Sequence, residues 1–366
     1  MRYSILLVFC LLGLLSFGQP TDKYQRIDSL FQSVYSNDAF SGVLVITEKG
    51  KLRYEQALGF RNIAAGIPLE QTDIFELASV SKQFTAMIIM MLAEQGKLQY
   101  DDAVERYLNI PYRGITIRHL LTHTSGLPDY QAIMDQYWDK TQVADNNDII
   151  TYLNRYAPPV RFAPGDRYEY SNTGYVLLAS IAEKASGQDF TEMCRKWIFR
   201  RLKMKDTDLR FPALRATMKR FALGHIYVPE RKVYVHADSF PSSNYTIWLG
   251  KREGPGRISA TAKDLLKWDR ALRAGKLVSA ATMTEAYQPM KLNNGQYSNY
   301  GFGWMIEPET PQGKVVQHSG DNPGYKTQII RYLDQDITII LLNNNAHAQF
   351  NQVLSGIRKI LANAND

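Results

Sequence analysis

The sequence predicts an α+β fold, an α/β sandwich in which an antiparallel sheet from both chain ends is flanked by helices and brackets an inserted, mostly helical region. Three observations predict it. Residues 41–46 and 52–60 are apolar, strand-like runs on either side of Glu48, Lys49 and Gly50, the pattern of a hairpin. Residues 328–332 and 337–342 repeat that pattern around Leu333, Asp334, Gln335 and Asp336, and a last helix is expected over 350–361. Between the ends the signals are mostly helical, as in 175–186 closed by Gly187, with Pro- and Gly-rich loops at 158–165 and 250–256. The sheet part is therefore placed at about 24–100 and 290–366 and the helical region at about 101–289.

The whole chain has 366 residues, 45% of them hydrophobic and 22% charged, enough to bury a sizeable core. Its formal charge of +7 is scattered; the densest basic run, residues 195–201 with Lys203 and Lys205, reads as a solvated helix end, so no nucleic-acid partner is expected. Arg2 precedes an apolar run over 5–15, and Ser16, Phe17 and Gly18 offer small residues where a signal peptidase reads. Residues 1–18 are thus expected to be a cleaved secretory signal, with one domain over 19–366, a periplasmic or secreted location and no stable membrane span after cleavage; a retained anchor is the alternative. Cleavage removes Cys10 and leaves Cys194 alone, so no internal disulfide can form.

A helix is expected to start at Ser79. Phe84, Met87, Ile88, Met91 and Leu92 recur at three- and four-residue steps and Gly96 follows as a stop. Ser79-Val80-Ser81-Lys82 falls in its first turn, where residues three apart share a face, so the hydroxyl of Ser79 and the amine of Lys82 can meet. A serine hydroxyl becomes a good nucleophile when a neighbouring base takes its proton, and a buried lysine can do that. The S-x-x-K pattern occurs once in the chain, close to the chance expectation of about one. The motif alone therefore also suits an N-cap serine beside a surface lysine.

Residues 75–84, FELASVSKQF, resemble the nucleophile region of class C β-lactamases and related penicillin-recognising serine hydrolases. That superfamily carries a Y-x-N on a loop of the helical region and a K-T-G or H-x-G on a strand near the C-terminus. Y-x-N occurs at Tyr35, Tyr107, Tyr152, Tyr170 and Tyr297; Tyr170-Ser171-Asn172 has the family setting, with FAPG before it and a helix start behind. Tyr297 is the best decoy, just before YGFGW at 300–304, which looks like the strand preceding the third motif. His318-Ser319-Gly320 matches H-x-G. Residues 120–127 and 256–265 also look like family segments, expected to shape the cleft.

The resemblance implies an acyl-enzyme on Ser79 with Lys82 and Tyr170 as proton-transfer partners, Asn172 contacting a substrate amide or carbonyl, and the backbone N–H of Asp321 joining that of Ser79 to hold an oxyanion. Gly320 would let substrate backbone approach closely. His318, with an ordinary pKa of about 6.5, would anchor a substrate carboxylate less strongly than lysine. No cofactor and no metal are expected: His119 and His123 stand four apart, but Leu120 occupies the position where a zinc-peptidase motif needs Glu. The absence of G-x-S-x-G argues against an α/β-hydrolase elbow. The implied partner is a small-molecule or peptide substrate and the implied function a D-amino-acid peptidase or esterase, with a class C-like β-lactamase and a catalytically silent ligand-binding sensor as alternatives.

Overall fold

A computed structural model describes residues 22–215 and 217–363; the expected signal segment and Cys10 lie outside them. Its centre is a six-stranded antiparallel sheet built from both ends of the chain. The N-terminal part contributes helix α1 (Lys23–Asp38) and strands β1 (Gly42–Glu48) and β2 (Lys51–Leu58), and helix α2 (Lys82–Glu94) follows. The middle of the chain includes helices α3 (Asn172–Ser186) and α4 (Ala262–Arg273). The C-terminal part adds β3 (Met305–Glu307), β4 (Val315–Asn322), β5 (Tyr325–Tyr332), β6 (Ile337–Asn343) and helix α5 (Phe350–Ala362). Spatial order is β3-β4-β5-β6-β1-β2, so β1 pairs with β6, Gly42 opposite Asn343 and Ile46 opposite Ile339, which closes the two ends of the chain on each other.

Both expected hairpins form. Lys49 and Gly50 turn the first with φ of 50° and 70°, the left-handed pair that a two-residue hairpin turn needs. The long apolar strand β6 is buried along its whole length because both sheet faces are covered. On one face α1 and α5 pack over Leu44, Ile46, Ile339 and Leu341. On the other, α2 and α4 pack over Val43, Val45, Ile340 and Leu342. Every residue of α2 from Lys82 to Leu92 is buried, as expected of a helix apolar on nearly all sides.

Two expectations shift. Ser79 lies not in the α-helix but in a 3₁₀ turn, Ala78–Ser81, that leads into it, entered through Ala78 at φ 49°. Residues 300–304 are not a strand; pairing with β4 begins at Met305. The basic run 195–201 overlaps a wide π-turn, Cys194–Phe199, with Arg195 bound to Asp208 at 2.8 Å. Among the described residues no helix is long and apolar enough to cross a membrane.

Candidate active site

The 3₁₀ turn tightens the spacing between Ser79 and Lys82 to about one full turn, and Lys82 Nζ stands 3.1 Å from Ser79 Oγ. Lys82 is fully buried and has two further contacts, Asn172 Oδ1 at 2.8 Å and the carbonyl of Pro255 at 3.0 Å. Burial, and after it the charge of Arg252, drives its pKa well below the ordinary lysine value, with Asp129 opposing. The amine is thereby favoured in its neutral form, which has two N–H bonds and one lone pair. Asn172 Oδ1 and the Pro255 carbonyl only accept hydrogen bonds, so they take the two N–H groups. The lone pair then faces the Ser79 hydroxyl.

Each partner of that amine is fixed by local structure. Asp129, the N-cap of helix Tyr130–Tyr137, accepts from both the backbone N–H (2.8 Å) and the side-chain amide (3.2 Å) of Asn172, which orients Oδ1 toward Lys82. Pro255 is delivered by a loop clamped on two helices. Thr85 of α2 donates to Gly254 O at 2.7 Å, and Gly254, at φ 100°, has no room for a side chain, since a Cβ would stand 2.0 Å from Tyr175 O of α3.

Tyr170 lines the cleft together with Ser79, and Lys82 Nζ lies 4.8 Å from its ring centre. Burial raises its pKa above the ordinary tyrosine value, so the phenol stays protonated at neutral pH. Its ring lies against that of His123, 4.2 Å between centres at 34°. His123 accepts from the Ser171 N–H at 3.2 Å and so holds both the ring and the loop backbone. His119 instead caps its own helix through Thr116. The described residues hold no cluster of three or more metal-binding side chains. The decoy Tyr297 is 62% exposed.

The opposite wall is β4. Beyond Gln317 its outer edge is unpaired by β3 and borders the cleft. Gly320 permits close approach, but by the nucleophile turn rather than by substrate: a Cβ there would stand 2.2 Å from Leu77 O. The Tyr245 hydroxyl sits 3.5 Å from Asp321 O, so this carbonyl faces the cleft, and in an extended strand the N–H of the same residue faces the same way. That orientation suits an oxyanion donor.

His318 corrects an expectation. Its Nδ1 lies 2.6 Å from the carbonyl of Ser319, an acceptor, and therefore carries the proton; Nε2 then accepts from the Tyr300 hydroxyl at 2.7 Å. Burial, reinforced by Lys82, pushes its pKa down to about 3. A neutral ring with both nitrogens engaged has no N–H left for a substrate carboxylate.

These walls enclose a cleft of about 370 Å³ bordered by Ser79, Tyr170, Asn172, Tyr245, Arg252 and Asp321. Sequence reasoning missed Asp129, Tyr245, Arg252 and Tyr300. Asp129 alone left a signal, an N-cap acid directly before a helix start.

Comparison with known proteins agrees with this architecture. The β-lactamase family model matches residues 27–362. A penicillin-binding protein of Bacillus subtilis (strain 168) is 38% identical over 325 residues, 88% of this chain and 72% of that protein. Esterase EstB of Burkholderia gladioli is 26% identical over 363 residues, 88% of this chain and 90% of that protein. Among solved structures, the octameric penicillin-binding protein homologue from Pyrococcus abyssi superposes with a TM-score of 0.79 at 25% identity, covering 93% of this chain and 77% of that one. The chain belongs to the β-lactamase family of serine hydrolases.

Proposed function

We propose that this protein hydrolyses small amides or esters, of the D-amino-acid peptidase or esterase type, through an acyl-enzyme on Ser79. The observation that carries the reading is the buried, charge-disfavoured Lys82 amine, 3.1 Å from Ser79 Oγ with its N–H groups engaged elsewhere. As Ser79 Oγ bonds to the substrate carbonyl carbon, its proton passes to Lys82 Nζ. The negative charge that develops on the carbonyl oxygen is held by the N–H groups of Ser79 and Asp321. The bond to the leaving amine or alcohol then breaks, and the leaving atom takes a proton through the Tyr170 hydroxyl, which Lys82 resupplies. Water attacks the ester by the same relay in reverse and frees Ser79. Asn172 has one amide hydrogen not committed to Asp129, and this meets the acyl part of the substrate.

The family name of the D-aminopeptidase from Brucella canis, 23% identical over 83% of this chain, supports the amide side of the reading, and EstB the ester side. A β-lactamase ranks lower, since His318 offers no charge to the carboxylate of a β-lactam. Export from the cytoplasm is part of the proposal, supported by Arg2, the apolar run and the small residues before Gln19.

The test is a fluorophosphonate probe together with a panel of p-nitrophenyl esters, D-alanyl peptides and a chromogenic cephalosporin. The wild type should label and turn over an ester or a D-alanyl substrate, and Ser79→Ala should do neither. Labelling at an undiminished rate in the Ala variant would defeat the assignment, and labelling without any turnover would select the silent sensor.

A further inference from the structure

Apart from Lys82, two charged side chains border the cleft, Arg252 and Asp321. They differ in kind. Asp321 is exposed at the rim, whereas Arg252 is only 4% exposed. Its Nη1 donates to Tyr130 Oη at 2.6 Å, its guanidinium lies 5.3 Å from the centre of the Tyr245 ring, and its Nε is buried with no hydrogen-bond partner. Among the described residues no carboxylate pairs with it; Glu76, whose charge it feels, is held by Arg215 at 2.6 Å. A guanidinium does not shed its proton, so this is a fixed positive charge kept largely out of water without a counter-ion. Buried charges are normally paired, because an uncompensated one is strongly destabilising.

Among the described residues no carboxylate is paired with that charge, and the open side of Arg252 is the cleft. We propose that Arg252 binds a carboxylate carried by the acyl part of the substrate, the part that stays on Ser79. The choice of the acyl part follows from the position of Arg252. It stands with Tyr130 and Tyr245, next to Asp129, which holds Asn172. Tyr170, which serves the leaving group, is flanked by His123 and His318 instead, with ring centres 4.2 and 6.4 Å away. Arg252 is thus grouped with the Asn172 wall of the cleft, and Tyr245 links that wall to Asn322 at the end of β4 at 2.7 Å. This inference rests on the hydrolase reading above and narrows its substrate class to acids that keep a second, free carboxylate, with Tyr245 forming an aromatic wall beside it.

The experiment compares p-nitrophenyl hydrogen glutarate with p-nitrophenyl pentanoate, which share a leaving group and differ in a terminal carboxylate. Wild-type kcat/KM should favour the glutarate. Arg252→Gln should lower the glutarate-to-pentanoate ratio about 10- to 100-fold, the scale of a lost charge-assisted hydrogen bond. The ratio is the decisive readout because Arg252 also disfavours protonation of Lys82, an effect common to both esters. Arg252→Lys keeps the charge and should keep most of the preference, which holds the test open if the Gln variant does not fold. A wild-type ratio at or below one, or a ratio unchanged in both variants, overturns the inference while pentanoate turnover and probe labelling leave the hydrolase reading standing. Failure of the wild type on both esters and the probe brings down both.

Discussion

The two faces of the sheet are covered by helices in the same way but are filled with different chemistry. Beneath α1 and α5 the centre of the contact is made by Ile27, Phe31, Leu44, Ile46, Ile339, Leu341 and Val353, all apolar and at most 1% exposed. Polar bonds lie toward the β3–β4 edge, where Gln328 donates to Gln317 at 2.7 Å and Arg358 of α5 holds Glu307 at 2.7 Å. Beneath α2 and α4 the apolar packing is interrupted by polar groups, each with a partner: Arg331 on Asp269 at 2.6 Å, Thr338 on the same carboxylate at 2.9 Å, and Thr327 on Leu77 O at 2.7 Å. The last of these ties β5 to the turn that carries Ser79. Dispersion and burial are non-directional and dominate the centre of the first face, whereas the centre of the second also uses directional bonds, which fix the position of a turn but contribute less net stability. Stability and activity should therefore respond separately to substitution.

The largest effect is expected at Lys82. Lys82→Ala removes the proton acceptor and should lower kcat/KM about 10²- to 10⁴-fold. Thermal unfolding should change much less, because the native state no longer holds an amine in burial that disfavours its charge. A variant that loses fold and activity together would erase the contrast between the faces. On the apolar face the pattern should invert: Leu341→Ala should cost about 2–5 kcal/mol in urea unfolding with kcat of the folded fraction unchanged. A large drop in kcat there would show that the two faces are coupled.

Gly320→Ala probes the seam between strand and turn. The added Cβ would stand 2.2 Å from Leu77 O and 2.4 Å from Thr327 Oγ1, so β4 or the turn must move. Both stability, by about 1–3 kcal/mol, and turnover should fall, because the atoms displaced belong to the polar face and to the oxyanion donors alike. Calorimetry and ester turnover on one preparation check this. Unchanged turnover would separate Gly320 from the site.

How far the site could be read in the sequence follows the same division. Hairpins, the α2 helix and the order of the three motifs were legible because apolar periodicity and side-chain identity carry them. Ser79, Lys82, Tyr170 and Asn172 do converge. The Pro255 carbonyl that orients Lys82 was not legible, since a backbone acceptor has no residue signature. The role of His318 was only half legible for a related reason: its family position implied a weak carboxylate anchor, but both ring nitrogens are engaged, one by Tyr300, 18 residues away and visible only after folding. Arg252 lay in the loop at 250–256, to which no role was assigned, and one arginine among 43 basic residues draws no notice.

The smallest effect is one of pH, and it distinguishes the faces by slope rather than by size. His318 has its pKa pushed down to about 3 and His225 to about 4, both chiefly by burial, against an ordinary value of 6.5. Below pH 6.5 the unfolded chain takes up protons at these residues and the folded chain does not, so ΔG of unfolding falls as pH falls from 6.5 toward 4. Each histidine contributes at most about 1.4 kcal/mol per pH unit in that window. His318→Gln removes one titrating group, and the amide can still accept from Tyr300 and donate to the Ser319 carbonyl. Urea unfolding at pH 7 and pH 5 should then show a shallower decline for His318→Gln than for the wild type. Leu341→Ala should lower both points in parallel, because leucine does not titrate and its removal takes no proton site from the folded or the unfolded chain. Parallel lines for His318→Gln and the wild type would mean that the His318 ring is already protonated in the folded protein at pH 5, and with it would go the neutral tautomer bound to Tyr300.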